Sequence, residues 1–293
     1  MKIYNIHQKI KIEEGLVIGI GKFDGVHLGH QKLIKKIISI SKGKNKIPAV
    51  FTFKNFPLES YITPFEEKIS LLKKYGIEIC IWSDFEEIKN WDGEKFIGFL
   101  IKIGVKEIVV GFNFKFGKDR KWDVDLLKDI SKKYGFSVNI VNAVEIDGEV
   151  VNTSKIKKFL REGNIERANK FLGRHFSIKG KVVAGSGRGK KIGFPTANVL
   201  LDEKIEIGQG VYAGYVFYKG EKYKGGLNVG NCPTFGEKRK RVEVYIFDFE
   251  QEIYGETIEV FFLKKIRDEI KFSSVDELKK QIKKDINIIK EIK

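Results

Sequence analysis

Proline and cysteine are scarce, and no apolar run is long. The 293 residues include 5 prolines and 2 cysteines. So little proline leaves no room for a long proline-rich linker. Cys80 and Cys232 lie far apart, match no metal-ligand spacing and exclude a disulfide scaffold, so a reducing, cytoplasmic setting is expected. The longest apolar stretches, such as Leu16–Ile20, are strand-sized and too short to cross a bilayer. The start, Met1-Lys2-Ile3-Tyr4-Asn5-Ile6-His7, carries no apolar run of signal-peptide length. Acidic charge is also in deficit: 55 Lys+Arg stand against 39 Asp+Glu, a net charge of +16. The excess is almost entirely lysine, dispersed and interleaved with glutamate. Nucleic-acid readers favour arginine forks, and no RNP-like aromatic motif or zinc-finger spacing is present. Neither a nucleic-acid nor a membrane partner is expected. A basic surface does suit a protein that handles several phosphates.

What is present is a hydrophobic fraction of 42%, enough for real cores. The length suggests two domains at roughly 150 residues each. The first half alternates strand and helix patterns. Leu16–Ile20, Ala49–Phe53, Ile77–Trp82, Lys106–Val110 and Phe136–Val141 read as strands. Helical spacing runs through Gln31–Ser39, Glu66–Tyr75, Glu94–Ile103 and Asp123–Tyr134, with Gly76 and Gly135 as stops. This order predicts an α/β doubly wound parallel sheet that binds ligands beyond its strand ends. Two short helical stretches follow, Thr153–Glu162 and Asn164–Leu172. From Phe176 the strands Val182–Ala184, Tyr212–Tyr218, Tyr223–Val229, Arg241–Phe249 and Thr257–Leu263 are parted by Gly-rich turns without helices, the pattern of an antiparallel β-barrel. A C-terminal helix from Val275 closes the chain, with Ser273 or Ser274 as N-cap and Glu277 as capping-box partner. The boundary falls near Leu172–His175, giving domains of 1–172 and 173–293. The pattern is compatible with a monomer.

The first chemical motif is Gly21-Lys22-Phe23-Asp24-Gly25-Val26-His27-Leu28-Gly29-His30, between the first strand and the first helix. Backbone N–H groups and a helix N-terminus there attract an anion. His27 and His30, two of only 4 histidines, can hold a triphosphate and stabilise charge on a phosphorus under attack. Asp24 stands where a dinucleotide fingerprint needs glycine, and no cysteine is near to complete a zinc site. Gly111-Phe112-Asn113-Phe114-Lys115-Phe116-Gly117, at a later strand end, and the weaker stretch through Phe53 at the second strand leave two choices: a pocket for a flat ring, or strand-end loops with core aromatics.

The second motif runs from Gly185 through Ser186, Gly187, Arg188, Gly189, Lys190 and Lys191 to Gly193-Phe194-Pro195-Thr196-Ala197-Asn198. A Gly-rich loop with Arg and Lys can wrap phosphates, although no Walker A spacing is met. Thr196 and Asn198, two apart, offer hard oxygen ligands suited to Mg²⁺. Glu243 takes the polar face of its strand, where the choices are a solvated carboxylate or a general base for a hydroxyl.

Together these motifs resemble the bacterial bifunctional riboflavin kinase/FAD synthetase family over essentially the whole chain. The resemblance rests on Gly-x-Phe-Asp-Gly-Val-His-x-Gly-His at 21–30, the element at 111–117, and Gly-Phe-Pro-Thr-Ala-Asn at 193–198. It also draws on Asn228-Val229-Gly230 with Pro233-Thr234-Phe235, on Glu243 with Asp248-Phe249, and on Ile266-Arg267 with Phe272. It implies ATP-dependent phosphorylation of riboflavin to FMN in the second domain and adenylylation of FMN to FAD in the first. It implies Glu243 as base, Thr196 and Asn198 on Mg²⁺, the loop residues Gly185, Gly187, Arg188, Gly189 and Lys191 on ATP phosphates, and Asn228 and Arg267 on flavin. In the first domain it implies ATP at Gly21, Phe23, Asp24, His27, His30, Thr153, Ser154 and Lys157, and flavin at Phe53 and Asn113. Lys157 stands where the family usually has arginine, keeping the charge without the bidentate fork. Phe56 stands where many relatives carry histidine. The first motif alone also suits an adenylyl- or cytidylyltransferase for another phosphorylated metabolite, and decayed domains would suit a flavin- or nucleotide-binding regulator.

Overall fold

The computed structural model describes residues 1–185, 187–232 and 239–292. The chain divides into two compact units, one of Met1–Glu59 with Thr63–Thr153 and one of Ser60–Ile62 with Ser154–Lys293.

The first unit is built on six parallel strands: β1 (Lys2–Asn5), β2 (Leu16–Ile20), β3 (Ile47–Phe53), β4 (Ile79–Ser83), β5 (Val105–Gly111) and β6 (Ser137–Val141). Their order is β1-β4-β3-β2-β5-β6. Helices α1 (Leu28–Lys44), α2 (Phe65–Lys74), α3 (Phe85–Ile88), α4 (Gly93–Lys102) and α5 (Val124–Tyr134) link the strands. Every residue of β2 is buried. Its Leu16, Ile18 and Ile20 join Phe96, Ile97, Leu100 and Leu127 of α4 and α5 in one core. Val17 faces the other way, into a core with Leu33, Ile34 and Ile37 of α1 and Leu72 of α2. Gly19 is needed at the centre, because a Cβ there would lie 2.5 Å from Ile37 Cδ1. Cys80, on β4, is a buried free thiol whose ionisation burial pushes up to about 12. Asp92 and Asp123 cap α4 and α5, and Gly135, at φ 69°, ends α5 as the sequence predicts. A hairpin of β7 (Glu145–Ile146) and β8 (Glu149–Val150) turns at Asp147 and Gly148, both at positive φ.

The second unit opens with α6 (Thr153–Arg161, with Thr153 still in the first unit) and α7 (Ile165–Leu172). A closed antiparallel barrel follows: β9 (Phe176–Val183), β10 (Ala197–Leu200), β11 (Gly210–Tyr218), β12 (Glu221–Cys232), β13 (Arg239–Ile246) and β14 (Thr257–Arg267), in the order β10-β13-β12-β11-β14-β9. The short helix α8 (Arg188–Lys191) lies between β9 and β10, and α9 (Val275–Glu291) ends the chain. The four-residue β10, which the sequence pattern did not reveal, closes the barrel by pairing with both β9 and β13. Ser274 caps α9, and Glu277 reaches back to the Ser273 N–H, 3.1 Å away. Tyr212, Phe176, Phe262, Leu227, Val242 and Val244 are buried in the barrel. The Tyr212 hydroxyl donates to the Gly208 carbonyl at 2.6 Å.

Helix α7 packs on β14 and β9. Asn169 ties it there, donating to the Phe262 carbonyl at 2.9 Å and accepting from the Phe176 N–H at 2.6 Å. Phe171 is fully buried, edge-on to Phe159 at 5.2 Å. Phe171→Ala is expected to destabilise the second unit by about 3–5 kcal/mol. Urea unfolding of the variant against the parent checks the value.

Candidate active sites

Strand β2 is the point where the sheet changes direction: the chain runs on to β3 on one side, and β5 returns on the other. Ligands of open α/β sheets bind at such a point, beyond the strand ends. The segment 21–27 occupies it. Phe23 and Val26 adopt φ values of 51° and 39°, and Gly25 adopts 77°. For a β-branched side chain such a φ is strained. Full burial of Phe23 and Val26 holds the turn in place. His27 caps α1, its Nδ1 accepting the His30 N–H at 3.4 Å. A neutral His27 therefore carries its proton on Nε2. The His27 and His30 rings stack at 3.7 Å with planes 17° apart. Gly29 allows this, since a Cβ there would lie 3.1 Å from His27 Cε1. Phe23 packs against His30 at 5.2 Å.

The structure thus joins Gly21, Phe23, Asp24, His27 and His30 in one turn. Asp24 is buried and faces inward, its Oδ1 accepting the Thr63 N–H at 3.2 Å. Phe53 is half-buried at the end of β3, edge-on to Phe56 at 5.3 Å. Asn113 is exposed just after β5, so the two residues flank the turn from the neighbouring strands. Thr153 closes the first unit, while Ser154 and Lys157 belong to the second. There Lys157 Nζ donates to the Ser60 carbonyl.

In the second unit, register aligns the polar residues. Asn198 on β10 pairs with Glu243 on β13, Glu243 with Asn228 on β12, Asn228 with Val211 on β11, and Val211 with Arg267 on β14. Residues directly opposite in adjacent strands share a face. Val242 and Val244, on either side of Glu243, are buried in the core, so the row lies on the outer face. All five members line a cavity of about 1000 Å³.

One wall of the cavity is the Gly-rich loop with Arg188 and Lys190, and another is the apolar side of α9 with Leu278, Ile282, Ile286 and Ile289. Gly185 lets the Asn198 amide approach, since a Cβ there would lie 2.2 Å from Nδ2. Gly187 takes a left-handed φ of 67°, and Gly189 packs against the Phe194 carbonyl. Lys191 is exposed and absent from the wall, where Lys190 stands beside Glu252 at 3.2 Å. Asn198 is 5% exposed, and its Oδ1 has no hydrogen-bond partner among the described residues. Ser186 and Pro233-Thr234-Phe235 lie outside the described residues.

Two charged partners in this site escaped the sequence reading. Arg241 Nη2 holds Glu243 Oε1 at 2.9 Å. Arg267 grips Asp285 of α9 through Nε and Nη2, at 3.0 and 2.8 Å, and donates from Nη1 to the Asp268 carbonyl at 2.9 Å. Gln281 donates to the same Asp285 carboxylate at 2.8 Å. The alternation that set Glu243 on the outer face also set Arg241 there. The Arg267–Asp285 pair joins different elements and left no local signal.

The model of the FAD synthetase family matches residues 9–155, and that of the riboflavin kinase family matches residues 172–293. The bifunctional riboflavin kinase/FMN adenylyltransferase of Buchnera aphidicola from Schizaphis graminum is 38% identical, with 98% of this chain and 97% of the relative covered. The protein of the same description from Bacillus subtilis is 38% identical, with 95% and 93% covered. The one from Escherichia coli K12 is 35% identical, with 97% and 94% covered. The chain belongs to the bifunctional riboflavin kinase/FMN adenylyltransferase family. The FAD synthetase match covers the parallel-sheet unit from β2 onward and the riboflavin kinase match covers the barrel and α9. A crystal structure from Streptococcus pneumoniae, described as a macrolide-efflux protein, superposes with a TM-score of 0.92 at 32% identity over 100% of both chains. Among the described residues, no helix is long and apolar enough to cross a membrane.

Gly185→Ala is expected to push the Asn198 amide out of the row and to lower riboflavin phosphorylation by about 10-fold or more, since small displacements at a reacting centre are costly. FMN adenylylation, measured on the same sample, is expected to stay unchanged.

Proposed function

We propose that the chain carries out two successive ATP-dependent transfers, riboflavin to FMN in the barrel unit and FMN to FAD in the parallel-sheet unit. The observation that carries the reading is the outer-face row Asn198, Glu243 and Asn228 beside a Gly-rich loop. In the first reaction the ribityl hydroxyl attacks the γ-phosphorus of ATP and ADP leaves. A neutral hydroxyl must lose its proton, and Glu243 is the carboxylate placed to take it. Arg241 fixes Oε1, which leaves Oε2 for that proton. The apolar wall of α9 suits the flavin ring, Asn228 stands beside it, and Arg188 with the loop N–H groups suits the phosphates. Arg267 contributes by pinning α9 through Asp285.

The donor set fits Mg²⁺. Asn198 Oδ1 is buried and unpartnered among the described residues, and the Thr196 hydroxyl is the second hard oxygen. These two residues would hold the ion, which supplies charge neutralisation at the phosphate oxygens.

In the second reaction an FMN phosphate oxygen attacks the α-phosphorus of ATP, the bond to the β-phosphate breaks, and pyrophosphate leaves. The nucleophile is already an anion, so alignment and charge stabilisation suffice. His27 Nε2–H, His30 and the N-terminus of α1 are the donors. Gly21 allows the close approach, Phe53 and Asn113 take the flavin ring, and Thr153 assists at the nucleotide. The setting is the cytoplasm.

Glu243→Gln is expected to lower riboflavin phosphorylation by about 10²-fold or more while sparing conversion of supplied FMN to FAD. His30→Ala is expected to do the reverse. Chromatographic separation of the flavins reads both, and a single change that removed both activities from a folded chain would refute two separate sites.

The functional boundary is proposed at 172/173, supported by the family matches. A chain beginning at Gly173 is expected to phosphorylate riboflavin. It is also expected to melt lower than one beginning at Ser154, which keeps the buried Phe171 and Leu172 against the barrel. Thermal melting of the two, each with a kinase assay, checks both statements.

A further inference from the structure

Lys68 sits on the core side of α2, one turn before Leu72, and is 7% exposed. Its Nζ donates to the Phe53 carbonyl at 2.7 Å, the Lys22 carbonyl at 3.1 Å and Thr52 Oγ1 at 3.2 Å. The Thr52 hydroxyl donates in turn to the Lys22 carbonyl at 3.0 Å. An ammonium has three N–H donors, and these three partners use all of them. Lysine is almost never buried to this degree, and a well-packed apolar side chain generally serves core stability as well or better. What the charge secures here is backbone. One carbonyl belongs to the last residue of β3, the other to the second residue of the His27 turn, whose strained φ values need an outside constraint.

We propose that Lys68 is a positioning residue for adenylyl transfer, pinning the Lys22 and Phe53 carbonyls and so fixing the aim of His27 and His30. The proposal rests on the reading of those two histidines given above.

The groups facing Lys68 are Asp24 from the His27 turn, Cys80 from β4 and Glu66 from its own helix, with Lys54 over the shared Phe65 ring. Burial outweighs the acidic neighbours and lowers the ammonium to about 8. The Cys80 thiol, pushed up to about 12, stays neutral across that range. Above about pH 8 the amine keeps two N–H donors for three acceptors, so one of the three ties that join the turn to β3 is lost. Stability moves the opposite way. Between the folded value of about 8 and the ordinary 10.5 the unfolded chain binds more protons, so the Lys68 contribution makes the fold more stable as pH rises through that window. Adenylylation is therefore expected to fall through a range in which this contribution strengthens the fold.

The test uses the full chain and the kinetics of FMN to FAD across pH, for the parent, Lys68→Met, Thr52→Val and His30→Ala. Tryptophan emission reports folding of the first unit, since Trp82, Trp91 and Trp122 all lie in it. Riboflavin phosphorylation in the same samples is expected to hold steady. Folded Lys68→Met is expected to lose about 10-fold or more in kcat at neutral pH, as a misplaced constellation does. It is also expected to lack the parental decline above about pH 8. Thr52→Val, isosteric and still charged at Lys68, removes the hydrogen bonds from Lys68 and to the Lys22 carbonyl; it is expected to lose about 5-fold or more, in keeping with two hydrogen bonds, and to keep that decline.

A folded Lys68→Met with parental kcat, or one whose alkaline decline is unchanged, overturns the proposal. If Lys68→Met does not fold, a parental profile flat to pH 10, or Thr52→Val with parental kcat, overturns it, and the expected decline and loss support it. His30→Ala separates the two readings. If it still makes FAD, the reading of the histidines fails. If it does not, and Lys68→Met does at the parental rate, only the pin fails.

Discussion

Successive side chains of a strand point to opposite faces, and both sites follow from how each unit spends those two faces. In the parallel sheet, β2 is buried on both. No side chain of that strand is free for chemistry, and only its C-terminal end opens outward. Candidate site residues must then come from the turn beyond it, and the turn must be held by something other than the strand. In the barrel, one face fills the interior and the other is released. Asn198, Glu243 and Asn228 reach the cavity because they alternate with Val199, Val242 and Val229, which are buried in the core. A one-residue slip of β13 would bury the carboxylate and expose two valines, so barrel packing itself enforces the register of the site.

The parts of this design that were readable in the sequence are those whose signal is local. The 21–30 motif contains its own glycines, cap and helix start. The long strands of the barrel alternate over enough residues to be recognised, and Gly135 and Ser274 sit where helix ends need them. Other parts depended on distant partners. β10 is four residues long and follows a Pro turn, so its pattern is too short to read, and only pairing on both sides makes it a strand. Asp147-Gly148 is a strong hairpin signal, yet its arms are two residues each, too short to show an alternation. Lys68 falls in the apolar stripe of α2, where a lysine is normally read as solvated; its acceptors are carbonyls, which a sequence does not display. Which of Lys190 and Lys191 lines the cavity depends on the turn of α8, where consecutive side chains point about 100° apart.

Arginine and lysine are used differently in the two units. In the barrel, Arg241 and Arg267 each meet a carboxylate, and the planar fork of Arg267 takes both oxygens of Asp285. Such pairs fix direction. In the parallel-sheet unit, the buried cation is an ammonium that gathers three oxygens from two segments, β3 and the turn at Lys22, a geometry that suits a compact donor. The other lysines are dispersed along the sequence and give most of the net charge of +16, a sign that suits anionic substrates.

Cys80 lies in the middle of this arrangement, on β4 beside Lys68 and closed off from water. The thiolate is the form that oxidants and alkylating reagents attack, and burial keeps it negligible at physiological pH. The sulfur is thus protected by the sheet rather than by its own chemistry. Damage at that atom waits for the unit to open, so the rate at which Cys80 is modified becomes a clock for how often the parallel sheet comes apart.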